Sequence, residues 1–286
     1  MSGAAEMRFT ADHAFHIGSQ HLRGGMPCQD YALSSTGTLG AFAEAAAIVS
    51  DGCSSGGKTD MGSRIIAHAT AVALSLSPSH DARLIDFNTR FLELRSRETL
   101  QLQQADMLAT AAYVAIRGQR AMTRIIGDGV MAGVFRNGKV IVNRVEWRNN
   151  MPVYLAYADD DFHGFISAQG GLHAQSCSQH IMVLDGMLVT EDSIFDHAVE
   201  YGLHGITVDH DLANFQFLSV FSDGVTQVDG MHWVDVVRSL MAFKSTEGRF
   251  VTRRMNRFLK DCLAHGKGPI DDISMACIHI QHDEVT

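Results

Sequence analysis

Four short apolar runs follow one another between residues 111 and 145, with too little chain between them for helical crossovers: Ala111 to Ile116, Met122 to Ile126, Val130 to Phe135 and Val140 to Val145. Arg136-Asn137-Gly138-Lys139 joins the last two. Asn-Gly between apolar runs is the strongest short hairpin signal, because the favoured two-residue turn needs positive φ at its centre. This stretch is therefore expected to be antiparallel sheet, which fits poorly with parallel strands linked by helices.

Helical patterns flank the sheet. From Gly57 onward, Ile65, Ile66, Ala69, Val72, Ala73 and Leu76 recur at three- and four-residue steps, predicting an amphipathic helix that ends near Pro78. A second helix is expected to follow, with Leu84, Phe87, Phe91 and Leu94 as its apolar stripe and Arg90, Glu93, Arg97 and Glu98 elsewhere around it. The two should pack as neighbours. Further on, Phe215 to Phe221 is an almost unbroken apolar strand, Trp233 to Phe243 and Phe250 to Leu263 read as helices, and Ile273 to Ile280 is a closing strand. Strands that are apolar on both faces need cover on both sides. The expected fold class is α/β, a four-layer α/β/β/α sandwich of two packed, mainly antiparallel sheets flanked by helices. Residues 1–286 read as a single domain. Within it, 151–212 mixes Gly, His and Asp with short candidate strands and one helix near Ile194 to Tyr201, and is expected to be a flap or variable region.

Composition narrows the function classes. With 23 Lys+Arg against 32 Asp+Glu the formal charge is −9, and no basic stripe stands out, so no nucleic-acid partner is expected. Five cysteines, Cys28, Cys53, Cys177, Cys262 and Cys277, form no C-x-x-C pair, which suits reduced thiols and a cytoplasmic location. No apolar stretch is long enough for a spanning helix, and the N-terminus lacks the apolar core of a signal peptide, so no membrane partner is expected either.

Three acidic sites share one context: Ala47-Ile48-Val49-Ser50-Asp51-Gly52, Val220-Phe221-Ser222-Asp223-Gly224 and Asp271-Asp272-Ile273-Ser274-Met275. Asp-Gly alone is ordinary turn chemistry. Repetition at the ends of three apolar runs suggests instead that the carboxylates converge at one end of a sandwich, where clustered anions are unfavourable unless protonated or bound to cations. Carboxylate oxygens, with a backbone carbonyl at Gly52, describe a hard oxygen site suited to Mg²⁺ or Mn²⁺ rather than zinc. Two such ions about 3.5–4 Å apart clamp a phosphoryl group and activate water for hydrolysis of a phosphate ester.

The order of these motifs resembles the metal-dependent type 2C serine/threonine protein phosphatases, in particular their compact bacterial members. The matching segments are Gly18-Ser19-Gln20-His21-Leu22-Arg23 through Pro27-Cys28-Gln29-Asp30, then Ile48-Val49-Ser50-Asp51-Gly52, Ile126-Gly127-Asp128-Gly129, Phe221-Ser222-Asp223-Gly224-Val225 and Asp271-Asp272-Ile273-Ser274. The resemblance implies two ions, Mn²⁺ or Mg²⁺. Asp51 would bridge both, the Gly52 carbonyl and Asp30 would serve the second, and Asp223 with Asp271 would hold the first. Asp128 matches the ligand of a weaker third metal, although its usual acidic helper is here Gln227. Asp272 stands where the family often has Asn and is read as neighbouring support. Gln29 replaces the acid that commonly precedes Asp30. Gly25 occupies the usual place of the phosphate-binding Arg, leaving Arg23 as the candidate phosphate contact in a shifted register. The implied activity is hydrolysis of phosphoserine and phosphothreonine on proteins, with a phosphorylated protein substrate and a cognate Ser/Thr kinase as partners in signalling. Cys53 is either a small packed thiol or a redox-sensitive one.

A competing motif overlaps the second segment. Gly52-Cys53-Ser54-Ser55-Gly56-Gly57-Lys58-Thr59 matches G-x-x-x-x-G-K-[ST] between a strand and a helix, the context in which backbone N–H groups cradle nucleotide phosphates. That reading requires parallel strands and leaves Asp30, Asp128 and Asp271 unused. A third possibility is a catalytically inactive relative that binds phosphoproteins.

Overall fold

The structure is a computed structural model that describes residues 7–39, 43–158, 162–198 and 205–282. In chain order the elements begin with strand β1 (Met7–His16), helix α1 (Ser19–Gly24), strands β2 (Asp30–Leu39) and β3 (Ala43–Asp51), and helices α2 (Thr59–Leu76) and α3 (Ala82–Leu100). Strands β4 (Ala111–Arg117), β5 (Arg120–Ile126), β6 (Gly129–Phe135) and β7 (Val140–Trp147) come next, then helix α4 (Phe162–Ala168) and strands β8 (Ser176–Asp185), β9 (Leu188–Ala198), β10 (Gly205–Asp211) and β11 (Phe215–Phe221). Helices α5 (Trp233–Met241) and α6 (Phe250–Ala264) and strand β12 (Ile273–His282) complete the series.

The Asn-Gly turn forms where its sequence calls for one. Gly138 takes φ 85°, its N–H donates to the Phe135 carbonyl at 2.9 Å, and β6 and β7 run antiparallel from it. Seven strands pair in the order β1-β12-β11-β6-β7-β8-β9 and five in the order β10-β5-β4-β3-β2, with every neighbouring pair antiparallel.

Alternation along the strands separates three apolar layers. Val49, Ala112 and Val114 of the smaller sheet meet Leu218, Val220, Ala276 and Ile278 of the larger one between the sheets. On the outer face of the smaller sheet, Ile48, Tyr113 and Met122 pack under Ala67, Ala73 and Leu74 of α2 and Ile85 of α3. Val130, Phe217 and Phe221 of the larger sheet lie under Val236, Val237 and Leu240 of α5 and Val251, Met255 and Phe258 of α6. The result is the four-layer α/β/β/α sandwich expected from the sequence.

Two local expectations are corrected. The stripe Leu84, Phe87 and Phe91 of α3 faces outward, and Phe87 and Phe91 are 62% and 54% exposed. The inward face carries Ile85, Asp86, Thr89 and Glu93 instead. Its anchor is an ion pair: Arg124 Nε of β5 donates to both Asp86 oxygens at 3.0 Å, while Nη1 donates to Thr207 Oγ1 at 2.7 Å and to the Gly205 carbonyl at 3.0 Å. A buried charge pair holds when its remaining donors find acceptors, as they do here. The helix expected near Ile194 to Tyr201 is also absent over its described part, since Ile194–Ala198 belong to β9 and pair with β8, and residues 199–204 lie outside the described residues. Pairing with the neighbouring strand overrides a local pattern of this length. No described helix is long and apolar enough to cross a membrane.

Candidate functional site

The topology gathers strand ends at one edge of the sandwich. Asp30 opens β2 and Asp51 closes β3, and the two are directly paired across the ladder. Asp128 lies in the tight connection between β5 and β6, Asp223 follows β11 by two residues, and Asp271 precedes β12 by two, with β11 and β12 adjacent. Asp51, Gly52, Asp128, Asp223 and Asp271 line one cavity of about 240 Å³, together with Cys53, Ser54, Ser55, Thr110, Asn150, Pro152, Tyr154 and Gln227. Asp30 lies beneath it, 1% exposed.

The electrostatics of this cluster are those of buried carboxyls crowded together, with the Arg144 cation acting on Asp128 and Asp223. Burial, helped by the charge of Asp272, pushes the Asp30 carboxyl up to about 7 against the hydrogen bond from Ser222. Asp128 is pushed up to about 8 by burial and by Asp223. Asp51 rises well above the carboxylate range through burial and the combined charges of Asp30, Asp223, Asp128 and Asp271. Asp223 is raised by burial and by Asp271, with a hydrogen bond from Asp51 working against the shift. Ser222 Oγ donates to Asp30 Oδ2 at 2.6 Å, but the buried Asp30 Oδ1 has no hydrogen-bond partner. An orphaned carboxylate oxygen among mutually repelling carboxylates fits a divalent cation of the Mg²⁺ or Mn²⁺ type, which takes an all-oxygen donor set.

Asp272 does something different. It is 2% exposed, and its two oxygens accept from Gly18 N–H at 2.7 Å and Gln29 N–H at 2.6 Å. His21 Nδ1 lies 2.9 Å from Oδ2 of the same carboxylate and 4.0 Å from Asp271 Oδ1. The backbone N–H groups of Ser19 and Gln20 bond to the carbonyls of Pro269 and Ile270 at 3.0 and 2.9 Å, so the start of α1 is tied to the approach of β12. Close approach demands glycine on both sides of this joint: a Cβ on Gly18 would lie 2.2 Å from the Asp271 carbonyl carbon, and one on Gly224 1.8 Å from the Asp272 carbonyl oxygen. Sequence reading assigned Asp272 a supporting place but missed His21, whose signal was only its position in the segment before Asp30.

Around the cleft, the Gln227 side-chain amide donates to Asp271 Oδ2 at 3.2 Å and Asp223 Oδ2 at 3.4 Å. Burial, Asp128 and the Cys53 thiol push the Tyr154 phenol upward, and Cys53 Sγ lies 3.1 Å from Ser55 Oγ. Arg144 of β7, also missed in the sequence, lines an adjoining cavity of about 220 Å³ with Asp128, Asp223, Glu146 and Asn150. Its charge pulls against the upward shifts of Asp128 and Asp223. Arg23 is exposed near the end of α1 and is not among the residues lining either cavity.

The nucleotide-cradle reading of Gly52 to Thr59 fails on local geometry. Lys58 N–H already donates to Asp106 Oδ1 at 2.6 Å, Gly57 N–H to the Ala105 carbonyl at 2.9 Å, Gly56 N–H to the Cys53 carbonyl at 2.9 Å and Cys53 N–H to the Leu108 carbonyl at 2.8 Å. Thr59 Oγ1 donates to the Cys53 carbonyl at 3.1 Å and is buried, and the strand before the loop is antiparallel to both neighbours. Four of the loop's backbone donors, those of Cys53, Gly56, Gly57 and Lys58, are thus spent within the protein.

A family model described as protein phosphatase 2C matches residues 17–264, which carry every carboxylate of the cluster except Asp271. The chain belongs to the protein phosphatase 2C family. Solved structures share the fold at low identity. The serine/threonine phosphatase Stp1 from Staphylococcus aureus is 10% identical over 97% of this chain and 96% of its own, with a TM-score of 0.53. The S. agalactiae serine/threonine phosphatase is 16% identical over 96% of this chain and 100% of its own, with a TM-score of 0.54. The phosphatase domain and regulatory fragment of SpoIIE from Bacillus subtilis, 12% identical with a TM-score of 0.51, matches 98% of this chain and 64% of its own. No curated protein matches the chain.

Proposed function

We propose that this protein phosphatase 2C removes phosphate from phosphoserine and phosphothreonine of protein substrates at the Asp30, Asp51, Asp128, Asp223 and Asp271 cluster, with two Mn²⁺ or Mg²⁺ ions bound there. The observation that carries the reading is the convergence of these carboxylates, each held in tension with the others, around a buried oxygen of Asp30 that nothing in the protein satisfies. Asp51, at the centre of the mutual repulsion, would be shared by both ions, Asp223 and Asp271 would hold one, and Asp30 with the Gly52 carbonyl would hold the other. Asp128 is the ligand of a weaker third position. Gln227, bonded to both Asp223 and Asp271, keeps those two carboxylates in fixed relation. When bound, such ions polarise a phosphoryl oxygen and lower the pKa of a water ligand.

Arg144 is the cation placed to meet substrate phosphate, since it borders Asp128 and Asp223 while Arg23 points into solvent. Among the described residues, no His lines the cavity beside Cys53, Ser54 and Ser55, so none there offers these hydroxyl and thiol groups a general base of that kind for covalent catalysis. Retention of all five carboxylates favours an active enzyme over an inactive phosphoprotein-binding relative. The implied partners are a phosphorylated protein and the Ser/Thr kinase that modifies it. The five free cysteines accord with a reducing cytoplasm.

The test is hydrolysis of a phosphothreonine peptide by the purified chain. Turnover should require Mn²⁺ or Mg²⁺, stop with chelator and return when metal is restored. Full turnover in a metal-free preparation, or a trapped covalent phosphoenzyme, overturns the reading.

A further inference from the structure

A cavity of about 540 Å³ lies in the outer helix layer, bounded by the 242–249 connection and one side of α6. Its lining is Ala242, Phe243, Lys244, Ser245, Phe250, Arg253, Arg254, Arg257 and Asp261, and it shares no residue with the carboxylate cleft. Four of these residues are cationic and one is anionic, in a chain whose net charge is −9. The cleft is far away along the sheet. Phe243 packs against Phe217 at 5.1 Å between ring centroids, and Phe217 pairs with His279, six residues along β12 from Ile273. At about 3.3 Å per strand residue this is roughly 20 Å from the strand end that carries the cleft.

The four cations face one carboxylate among the described residues. Arg257 bonds to it, with Nε 3.0 Å from Asp261. Arg253 donates only to backbone carbonyls, Glu247 at 2.7 Å and Ser245 at 3.4 Å, and Arg254 Nε donates to the Ser239 carbonyl. Lys244 is exposed and has no bonded partner among the described residues. Burial and the neighbouring charge of Arg257 hold the Arg254 guanidinium below its ordinary pKa, with Asp261 working against the shift. Guanidinium groups with free N–H donors are suited to planar, multidentate oxyanions, above all phosphate. The Phe243 and Phe250 side chains supply an apolar wall, and the volume falls in the range of small-molecule sites.

We propose that this cavity binds a phosphate-bearing small molecule, its phosphate oxygens taken by Lys244, Arg253 and Arg254 and its remaining bulk set against Phe243. The site stands apart from hydrolysis, so the proposal does not depend on the carboxylate cluster being a metal centre.

Calorimetric titration of the full chain in EDTA, with tripolyphosphate, ATP and adenosine as separate probes, tests it. Tripolyphosphate and ATP should each saturate at one per chain and adenosine should not bind. Tighter binding of ATP than of tripolyphosphate identifies an organic group on the Phe243 wall, and equal binding identifies a purely oxyanion site. Lys244→Glu, on an exposed connection where no structural bond is lost, should weaken binding about tenfold or more, as should Arg254→Gln. Both variants should keep wild-type turnover of the phosphothreonine peptide with Mn²⁺, and Lys58→Ala should bind ATP as the wild type does. Absence of saturable binding by either phosphate probe overturns the proposal, as does undiminished binding in Lys244→Glu. Binding that appears only when Mn²⁺ is restored, or that is lost in Lys58→Ala, places the anion elsewhere and overturns it equally.

Discussion

His21 Nδ1 and Asp272 Oδ2 lie 2.9 Å apart in the interior, on a carboxylate that also receives the backbone N–H groups of Gly18 and Gln29. Gln29 precedes Asp30 and Asp272 follows Asp271, so one buried side chain links the two arms of the carboxylate cluster. Asp272→Asn replaces an acceptor with an N–H donor that faces another donor. Leaving such a buried group unsatisfied costs about 1–3 kcal/mol, and that loss of stability is expected in denaturant unfolding. Mn²⁺ affinity should fall with it by about 10–100-fold, the range for groups that orient a ligand. Wild-type Mn²⁺ affinity in the variant would show that the link does not position Asp30 and Asp271.

The raised carboxyls set a pH dependence with a definite sign. Asp30 at about 7 and Asp128 at about 8 stand above their ordinary value of 3.8, so the metal-free native state keeps protons that the unfolded chain has released. The resulting stabilisation is complete below the unfolded value and is lost as pH rises through about 7 to 8, so metal-free stability declines from about pH 4 to about pH 8. Metal competes with those protons, and apparent Mn²⁺ affinity should rise over the same window. Melting temperatures in EDTA and in excess Mn²⁺ across this range check both statements. A metal-free melting temperature that climbs between about pH 5 and about pH 8 contradicts them.

Removing a ligand should cost more than removing its support. Asp51→Asn and Asp223→Asn are each expected to lower turnover by more than the roughly 100-fold upper range for supporting groups, while Asp128→Asn should do less. Kinetics at saturating metal, beside calorimetry of Mn²⁺ binding and a far-ultraviolet spectrum, separate lost affinity from lost folding. Near-normal turnover of Asp51→Asn in excess metal would remove Asp51 from the bridging position.

The two arginines divide the question of phosphate recognition. Arg144 pairs with Glu146 and its guanidinium carbon sits 5.8 Å from the centroid of the Trp233 ring, a restrained cation beside Asp128 and Asp223. Arg144→Ala should raise KM by about tenfold or more, in keeping with a charged hydrogen bond of about 1.5–3 kcal/mol, and Arg144→Lys should recover part of the loss. Arg23→Ala should leave KM unchanged. The reverse result would return the phosphate contact to Arg23.

Much of this architecture could be read from residues alone where periodicity and turn chemistry agreed. The Asn137-Gly138 hairpin, the apolar run of β11 and the α6 face of Val251, Met255 and Phe258 stand as expected. The three acidic segments were legible because each Asp abuts an apolar run that had to be a strand. What escaped was decided by distant partners. α3 turns its phenylalanines outward because Arg124, 38 residues away from Asp86, captures that carboxylate. Arg144 gave no signal because its role depends on β7 lying beside β6, which carries Asp128 at its entry. The glycine-rich loop matched a phosphate cradle in spacing, yet Asp106 fills the loop from a turn that spacing does not reveal.

Strand β3 carries little side-chain information about its own alignment. Ala45, Ala46 and Ala47 alternate between the two faces, followed by Ile48 and Val49, which differ by one methylene. Shifting the strand by one residue exchanges alanine for alanine only within Ala45 to Ala47, so packing over that short stretch discriminates weakly between registers. Discrimination comes from the last residues, where Asp51 N–H donates to Thr110 Oγ1 at 2.9 Å, Thr110 N–H to the Asp51 carbonyl at 2.8 Å and Ser50 Oγ to the Thr110 carbonyl at 2.6 Å. The ruler for the smaller sheet is thus engraved at its chemical end. A slip of one residue would also break these bonds and carry Asp51 away from its neighbours, so the cleft verifies faithful assembly alongside the interior.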